Sequence, residues 1–138
     1  MLYTLKVNGK KYAYDSASGA VLPLNTLQMK MLGAIVPPVE PTSLTALRYE
    51  LAKYDSGEVS DTFDEIYELS GKGVLYARED GTVRLCASGE YACDSEELAL
   101  ELLKLAFEGK ASVKFETVNG DFSEIAKKAA EQTGTIID

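Results

Sequence analysis

The stretch Gly19-Ala20-Val21-Leu22-Pro23-Leu24-Asn25 decides how the chain is read. An apolar run from Ala20 to Leu24 is followed by Asn25, whose side chain is suited to accept a bond from an unpaired N–H of a helix's first turn. The stretch therefore predicts a short strand that feeds a helix. Pro23 has no N–H, which places this strand at the edge of its sheet. An edge strand offers unpaired backbone groups to an arriving chain. The expectation is that an extended peptide arrives there.

Upstream, residues 2–7 alternate as a strand, with Tyr3, Leu5 and Val7 on one face. Asn8-Gly9 is a strong hairpin signal. Residues 10–15 give a second strand, with Tyr12 and Tyr14 on one face. Ser16-Ala17-Ser18-Gly19 turns the chain into the strand 20–24, completing a three-stranded antiparallel meander. Downstream, three helices are expected. The first runs from Asn25 to about Ile35, with Leu27, Met31 and Ile35 four apart. Val36-Pro37-Pro38-Val39-Glu40-Pro41 stops it. The second starts at Thr42 or Ser43, buries Leu44, Leu47, Leu51 and Tyr54, and ends at Asp55-Ser56-Gly57. The third starts near Ser60 and carries Phe63, Ile66, Tyr67 and Leu69 before Gly71 and Gly73. Val74-Leu75-Tyr76 reads as a short return strand and Glu79-Asp80-Gly81 as a turn.

Beyond Gly81 the rhythm changes. Thr82–Leu85 reads as a strand. Asp94 and Glu97 have capping-box spacing and open a helix with the stripe Leu98, Leu102, Leu105 and Ala106. Gly109 ends it. Val113 and Phe115 fall in a strand. Asp121 and Glu124 form a second capping box, with Phe122, Ile125 and Ala129 turned inward. Gly134 ends that helix, and Thr135-Ile136-Ile137 is a final strand. The order β-α-β-α-β implies a parallel sheet. The fold class is α+β: a winged-helix-like domain over residues 1–80, then a small βαβαβ segment over residues 81–138. Such a segment leaves parallel edges unpaired. A second copy of the chain, a partner enzyme or the first domain would cover them.

Composition narrows the chemistry. The 138 residues are 46% hydrophobic and 26% charged, as a soluble globular chain requires. No apolar run is long enough for a membrane span or a signal-peptide core, so the cytoplasm is expected. The net charge of −8 is uneven: residues 1–78 hold 8 Lys and Arg against 9 Asp and Glu, and residues 79–138 hold 6 against 13. That shift suggests a boundary near Ala77–Gly81. An acidic chain repels phosphate backbones, which argues against a nucleic-acid partner. The absence of histidine removes His-based triads, His general bases and His metal ligands. Cys86 and Cys93 are too few for a disulfide scaffold.

Two segments carry a resemblance. Tyr12-Ala13-Tyr14-Asp15-Ser16-Ala17-Ser18-Gly19-Ala20-Val21-Leu22-Pro23-Leu24-Asn25 resembles the second and third strands of PqqD-like domains. Phe63-Asp64-Glu65-Ile66-Tyr67-Glu68-Leu69-Ser70-Gly71-Lys72-Gly73-Val74-Leu75-Tyr76 resembles their third helix and its closing glycine and aliphatic residues. These domains are RiPP recognition elements, found at the N-terminus of radical SAM maturases such as SCIFF-type ones. The resemblance covers roughly residues 1–80. It implies recognition of the leader segment of a ribosomally made precursor peptide, which is presented to a radical SAM or other modifying enzyme. Ser95-Glu96-Glu97-Leu98-Ala99, Val113-Lys114-Phe115 and Asp121-Phe122-Ser123-Glu124-Ile125 resemble the opening of a radical SAM barrel. The intervening Glu116-Thr117-Val118-Asn119-Gly120 lacks the Gly-Gly-Glu-Pro residues that help hold S-adenosylmethionine in that family.

Cys86 and Cys93 are seven apart, like the outer cysteines of that family's cluster motif, but Glu90 stands at the middle position. Two thiolates and a carboxylate are a poor cradle for an iron–sulfur cluster. No metal, cofactor or catalytic residue is therefore expected. The pairs Asp64/Glu65 and Glu96/Glu97 read as solvated carboxylates. Most tyrosines, Tyr49 and Tyr54 included, read as core or rim packing. Winged helices also bind DNA, but a DNA reader needs a basic recognition helix, and this one carries Asp61, Asp64, Glu65 and Glu68 against Lys72 alone. Three functions stay open: a leader-peptide adaptor, a subunit of a radical SAM maturase acting with a partner chain, and a transcription regulator. Strand addition along residues 19–24 is the leading expectation. The expected peptide contacts are Ala20, Val21, Leu22 and Leu24 on the strand. On the third helix they are Phe63 and Ile66 as floor, with Tyr67 and Ser70 as rim.

Overall fold

In the computed structural model, which describes residues 1–138 throughout, strands β1 (Leu2–Val7), β2 (Lys10–Asp15) and β3 (Val21–Leu24) form an antiparallel sheet in that order. Asn8 and Gly9 close the first hairpin with φ of 51° and 79°, the left-handed pair a two-residue turn of this kind demands. Tyr3, Tyr14 and Val21 lie opposite one another across the strands, as do Leu5, Tyr12 and Pro23. Thr4, Ala13 and Leu22 are opposite one another on the other face.

Helices α1 (Thr26–Ala34), α2 (Ser43–Glu50) and α3 (Ser56–Gly71) follow. Asn25 caps α1 as expected, and a full capping box adds to it. Its Oδ1 accepts from the Gln28 N–H at 2.7 Å, and the Gln28 side chain accepts from the Asn25 N–H at 2.8 Å. The boundary between α2 and α3 differs from expectation. Asp55 Oδ2 accepts the Glu58 N–H at 3.1 Å, so Asp55-Ser56-Gly57 opens the third helix instead of closing the second. Val74-Leu75-Tyr76 is not a strand. The N–H groups of Val74 and Leu75 both donate back to Leu69 O, and Tyr76 adopts a φ of 52°, so the segment unwinds the helix end. Tyr49 is 88% exposed and packs in no core.

The second sheet is parallel, in the order β4 (Thr82–Cys86), β5 (Ser112–Val118) and β6 (Ile136–Ile137), with α4 (Glu96–Phe107) and α5 (Ser123–Thr133) as crossovers. This is the predicted β-α-β-α-β. Both expected capping boxes are absent. Ser95, not Asp94, caps α4 by accepting from the Leu98 N–H, which moves Glu97 off the reciprocal position. At α5 the Asp121 carboxylate bonds Ser123 instead, and Phe122 sits at the cap with no side-chain bond. Leu105 is half-buried; Ala99, Leu103 and Phe107 complete the buried stripe of α4 in its place.

The two halves share a core. Tyr14 and Val21 belong to one apolar cluster with Val83, Leu85, Cys93 and the inner faces of α4 and α5. Tyr3, Leu5, Val7 and Tyr12 pack against that cluster. The other face of the meander, through Ala13, Leu22 and Leu24, packs on a second cluster that includes Met31, Phe63, Ile66 and Leu75. The boundary near Ala77–Gly81 separates the sheets in sequence, and both cores lie against the meander.

The turn between β2 and β3 locks the halves together. Buried Asp15 accepts N–H bonds from Ala17, Ser18 and Ala77. Ser16 O and Gly19 O accept from the Arg84 and Cys86 N–H groups at 2.8 and 2.9 Å. The first half thereby covers the outer edge of β4, one of the coverings expected for the parallel segment. Gly19 has a φ of 84°, and a Cβ there would lie 3.0 Å from Leu85 N, so only glycine suits the position.

Candidate functional site along the edge of β3

The backbone of β3 has a defined polarity. Asp15 N–H donates to Ala20 O at 3.0 Å, which turns the backbone groups of Ala20, Leu22 and Leu24 toward β2. Alternation then points Val21 and Pro23 outward. The Val21 N–H donates to Tyr91 O at 2.8 Å. Pro23 has none, and the Asn25 N–H is held by Gln28. The outer edge of β3 thus presents two carbonyls, Val21 O and Pro23 O, and no free N–H. The nitrogen of Pro23 faces out of the sheet, so the proline breaks no internal bond.

Two side-chain bonds tie the segments flanking β3 to helix α3 and its end. Ser18 Oγ, just before β3, donates to Val74 O at 2.8 Å, just past the end of α3. Gln28 Nε2, just after β3, donates to Glu65 Oε2 at 3.4 Å. The helix partners of these two bonds, Glu65 and Val74, flank the stretch that contains Ile66, Tyr67 and Ser70.

The residues expected at the site separate into two sets. Ala20, Val21, Phe63 and Ile66 are buried, each 3% exposed. Val21 points its side chain into the core shared with the second half, so only its backbone carbonyl reaches the edge. Phe63 and Ile66 lie in the other core, with Leu22 and Leu24 half-buried against it. Tyr67 is 43% exposed, with its ring stacked on Phe63 at 6.0 Å between centroids. Ser70 is half-buried. Of the expected contacts, only Leu22, Leu24, Tyr67 and Ser70 are therefore accessible, and Phe63 and Ile66 are buried.

The rim is acidic. Asp61, Asp64, Glu65 and Glu68 are all exposed on α3, and only Glu68 has a cationic partner, Lys72 at 2.9 Å. The Glu68 carboxylate raises the Lys72 ammonium above its ordinary value. Tyr91, whose carbonyl closes one end of the edge, was not legible from the sequence, because a backbone acceptor carries no residue signature. Ser18 and Gln28 were legible only as turn and helix-start residues.

Cys86 and Cys93 are both free, and their chains meet where the Cys93 N–H donates to Cys86 O at 2.9 Å. Burial pushes both thiols up. The Cys93 thiol donates to Ser95 O at 3.3 Å, and Glu90 is solvent-exposed. No group of three or more Cys, Asp or Glu side chains is placed to hold a metal ion. No helix is long and apolar enough to cross a membrane. No protein-family model matches the chain, and no curated protein matches it.

Proposed function

We propose that the chain is a non-catalytic peptide-recognition protein of the cytoplasm. Its first three strands and three helices act as a winged-helix-like RiPP recognition element. It takes the leader segment of a ribosomally made precursor as an added strand along β3 and presents the rest to a modifying enzyme. The observation that carries this reading is the pair of side-chain bonds tying the segments that flank β3 to α3, with Leu22, Leu24 and Phe63 in one core and Tyr67 exposed on the Phe63 ring. The meander is covered on both faces, so an arriving peptide meets it at an edge.

The edge chemistry sets the energetics. With only Val21 O and Pro23 O available, the leader contributes two N–H donors and receives none in return. Each such bond has a net worth of about 0.5–1.5 kcal/mol. Burying one apolar leader residue against Tyr67 and Leu24 contributes about 1.5–3 kcal/mol. The two bonds together and the one anchor are thus of similar size, and affinity rests on both. The unpaired carboxylates of α3 favour a leader with basic residues flanking that anchor.

The test is titration of a cognate leader peptide, sought among short reading frames neighbouring this chain's gene, against wild type and Tyr67→Asp, with folding confirmed by circular dichroism. Tyr67→Asp is expected to weaken binding ~10-fold or more, by removing the anchor's partner. Equal binding to both folded proteins would place the peptide elsewhere.

A further inference from the structure

The other edge of the meander differs from β3 in three respects. Ser16 N–H donates to Met1 O at 2.9 Å, which fixes the register so that Tyr3, Leu5 and Val7 turn their backbone groups toward β2. Leu2, Thr4 and Lys6 turn outward, and neither their N–H nor their C=O groups make a bond. This edge thus offers both donors and acceptors. Beside its Leu2–Thr4 end lies a groove of about 480 Å³, with apolar walls from Leu32, Ile35, Pro37 and Tyr76.

Charge is the third difference. Lys6 and Lys11 stand directly opposite each other, on the face that holds the groove. Neither makes an ion pair, whereas six other pairs form elsewhere. Like charges directly opposite on a sheet destabilise it, and nothing within the chain offsets this pair. Lys10 points to the other face, beside Asp94 and Glu97. Glu79, at the far end of the groove, is already met by the N-terminal ammonium. The unmet charge along this edge is therefore positive, in a chain of net charge −8.

We propose that β1 is a second docking edge, which takes an extended acidic protein segment as an added strand. One apolar side chain of that segment fills the groove at Leu32, Ile35 and Pro37. Carboxylates an even number of residues along, and so on the same face, meet Lys6 and Lys11. The paired donors and acceptors of the edge select a polypeptide backbone over a nucleic acid. The site stands apart from the β3 reading: it lies on the opposite strand of the sheet and takes the opposite charge.

The experiment uses the full chain, isotope-labelled, with a capped synthetic peptide of alternating threonines. The peptide carries one leucine and glutamates at the second and fourth positions after it. A control peptide carries lysines in place of the glutamates. Binding of the glutamate peptide is expected to slow amide exchange at Leu2, Thr4 and Lys6 and to leave Tyr67 unshifted. Thr4→Pro removes one outward N–H without touching the ladder, a place where an edge strand accepts proline, and is expected to weaken binding ~5-fold or more. Lys6→Glu with Lys11→Glu is expected to reverse the preference between the two peptides while the protein stays folded. The proposal is overturned if no exchange change appears at β1 with the peptide at ~1 mM. It is equally overturned if Thr4→Pro binds as wild type does, or if the charge-reversed protein still prefers glutamate.

Discussion

The two sheets invert the usual relation between pairing and burial. Parallel sheets are ordinarily covered on both faces, and antiparallel sheets often leave one face wet. Here the antiparallel meander lies between two cores, with Tyr14 and Val21 turned to one and Ala13 to the other. The parallel sheet is covered on one face only. Val83, Leu85 and Val113 are buried under α4 and α5, while Lys114 and Glu116 are exposed and Arg84 reaches across to pair with Glu116 at 3.2 Å. The meander is therefore the structural joint of the molecule, and its edges, rather than its faces, remain for partners. The wet face of the parallel sheet carries charge, with Ile136 as its one strongly exposed apolar side chain.

If the meander joins both cores, a charge placed at its centre disrupts both halves. Val21→Asp puts a carboxylate into the shared core, where Val21 is 3% exposed. It is expected to cost about 3–5 kcal/mol or more and to lower the melting of both sheets together in a single calorimetric transition. Loss of the first half alone, with α4 and α5 still melting at the wild-type temperature, would separate the cores. A gentler break is Gly19→Ala, which forces a Cβ against the backbone of Leu85 at a φ of 84°. It is expected to cost about 1–3 kcal/mol by chemical denaturation.

The smallest expected effect concerns Asp80, which joins the wet face to the turn between β2 and β3. Its carboxylate pairs with Arg84 at 2.6 Å, and Arg84 donates in turn to Ala17 O at 2.7 Å. The Arg84 guanidinium, with the Thr82 N–H, holds the Asp80 carboxyl below its ordinary value. A depressed carboxyl stabilises the fold above its unfolded value of about 4, and the contribution fades as pH falls through the lower folded value. Asp80→Asn should lower the melting temperature by about 1–2 °C at pH 7, with a narrower gap below about pH 4. A gap independent of pH would remove the charge from the explanation.

The parts of the fold carried by short-range chemistry were legible in the sequence. Asn8-Gly9 specified the hairpin, Asn25 the start of α1, and the spacing of Leu98 and Leu102 the face of α4. Errors arose where neighbouring residues compete for the same role. Asp94 and Ser95 can both cap a helix, and Asp55 can end one helix or begin the next. The covering of the meander on both faces had a signal. Tyr12-Ala13-Tyr14 and Val21-Leu22-Pro23-Leu24 show little polar alternation, as strands buried on both sides do. At the candidate site, Leu22, Leu24, Tyr67 and Ser70 were reached from strand and helix periodicity. The bond from Val21 to Tyr91 joins residues seventy apart through backbone atoms, and no side-chain pattern encodes it.

The most direct test of the acceptor-only β3 edge is precursor-peptide binding to Pro23→Ala. This substitution adds one outward N–H beside Val21 O and Pro23 O without altering the ladder to β2. If the leader lies along β3, Pro23→Ala should tighten binding by about 0.5–1.5 kcal/mol, roughly 2- to 12-fold in Kd, with the peptide protecting the new amide from exchange. Unchanged affinity, with that new amide still exchanging freely in the complex, would contradict strand addition at this edge.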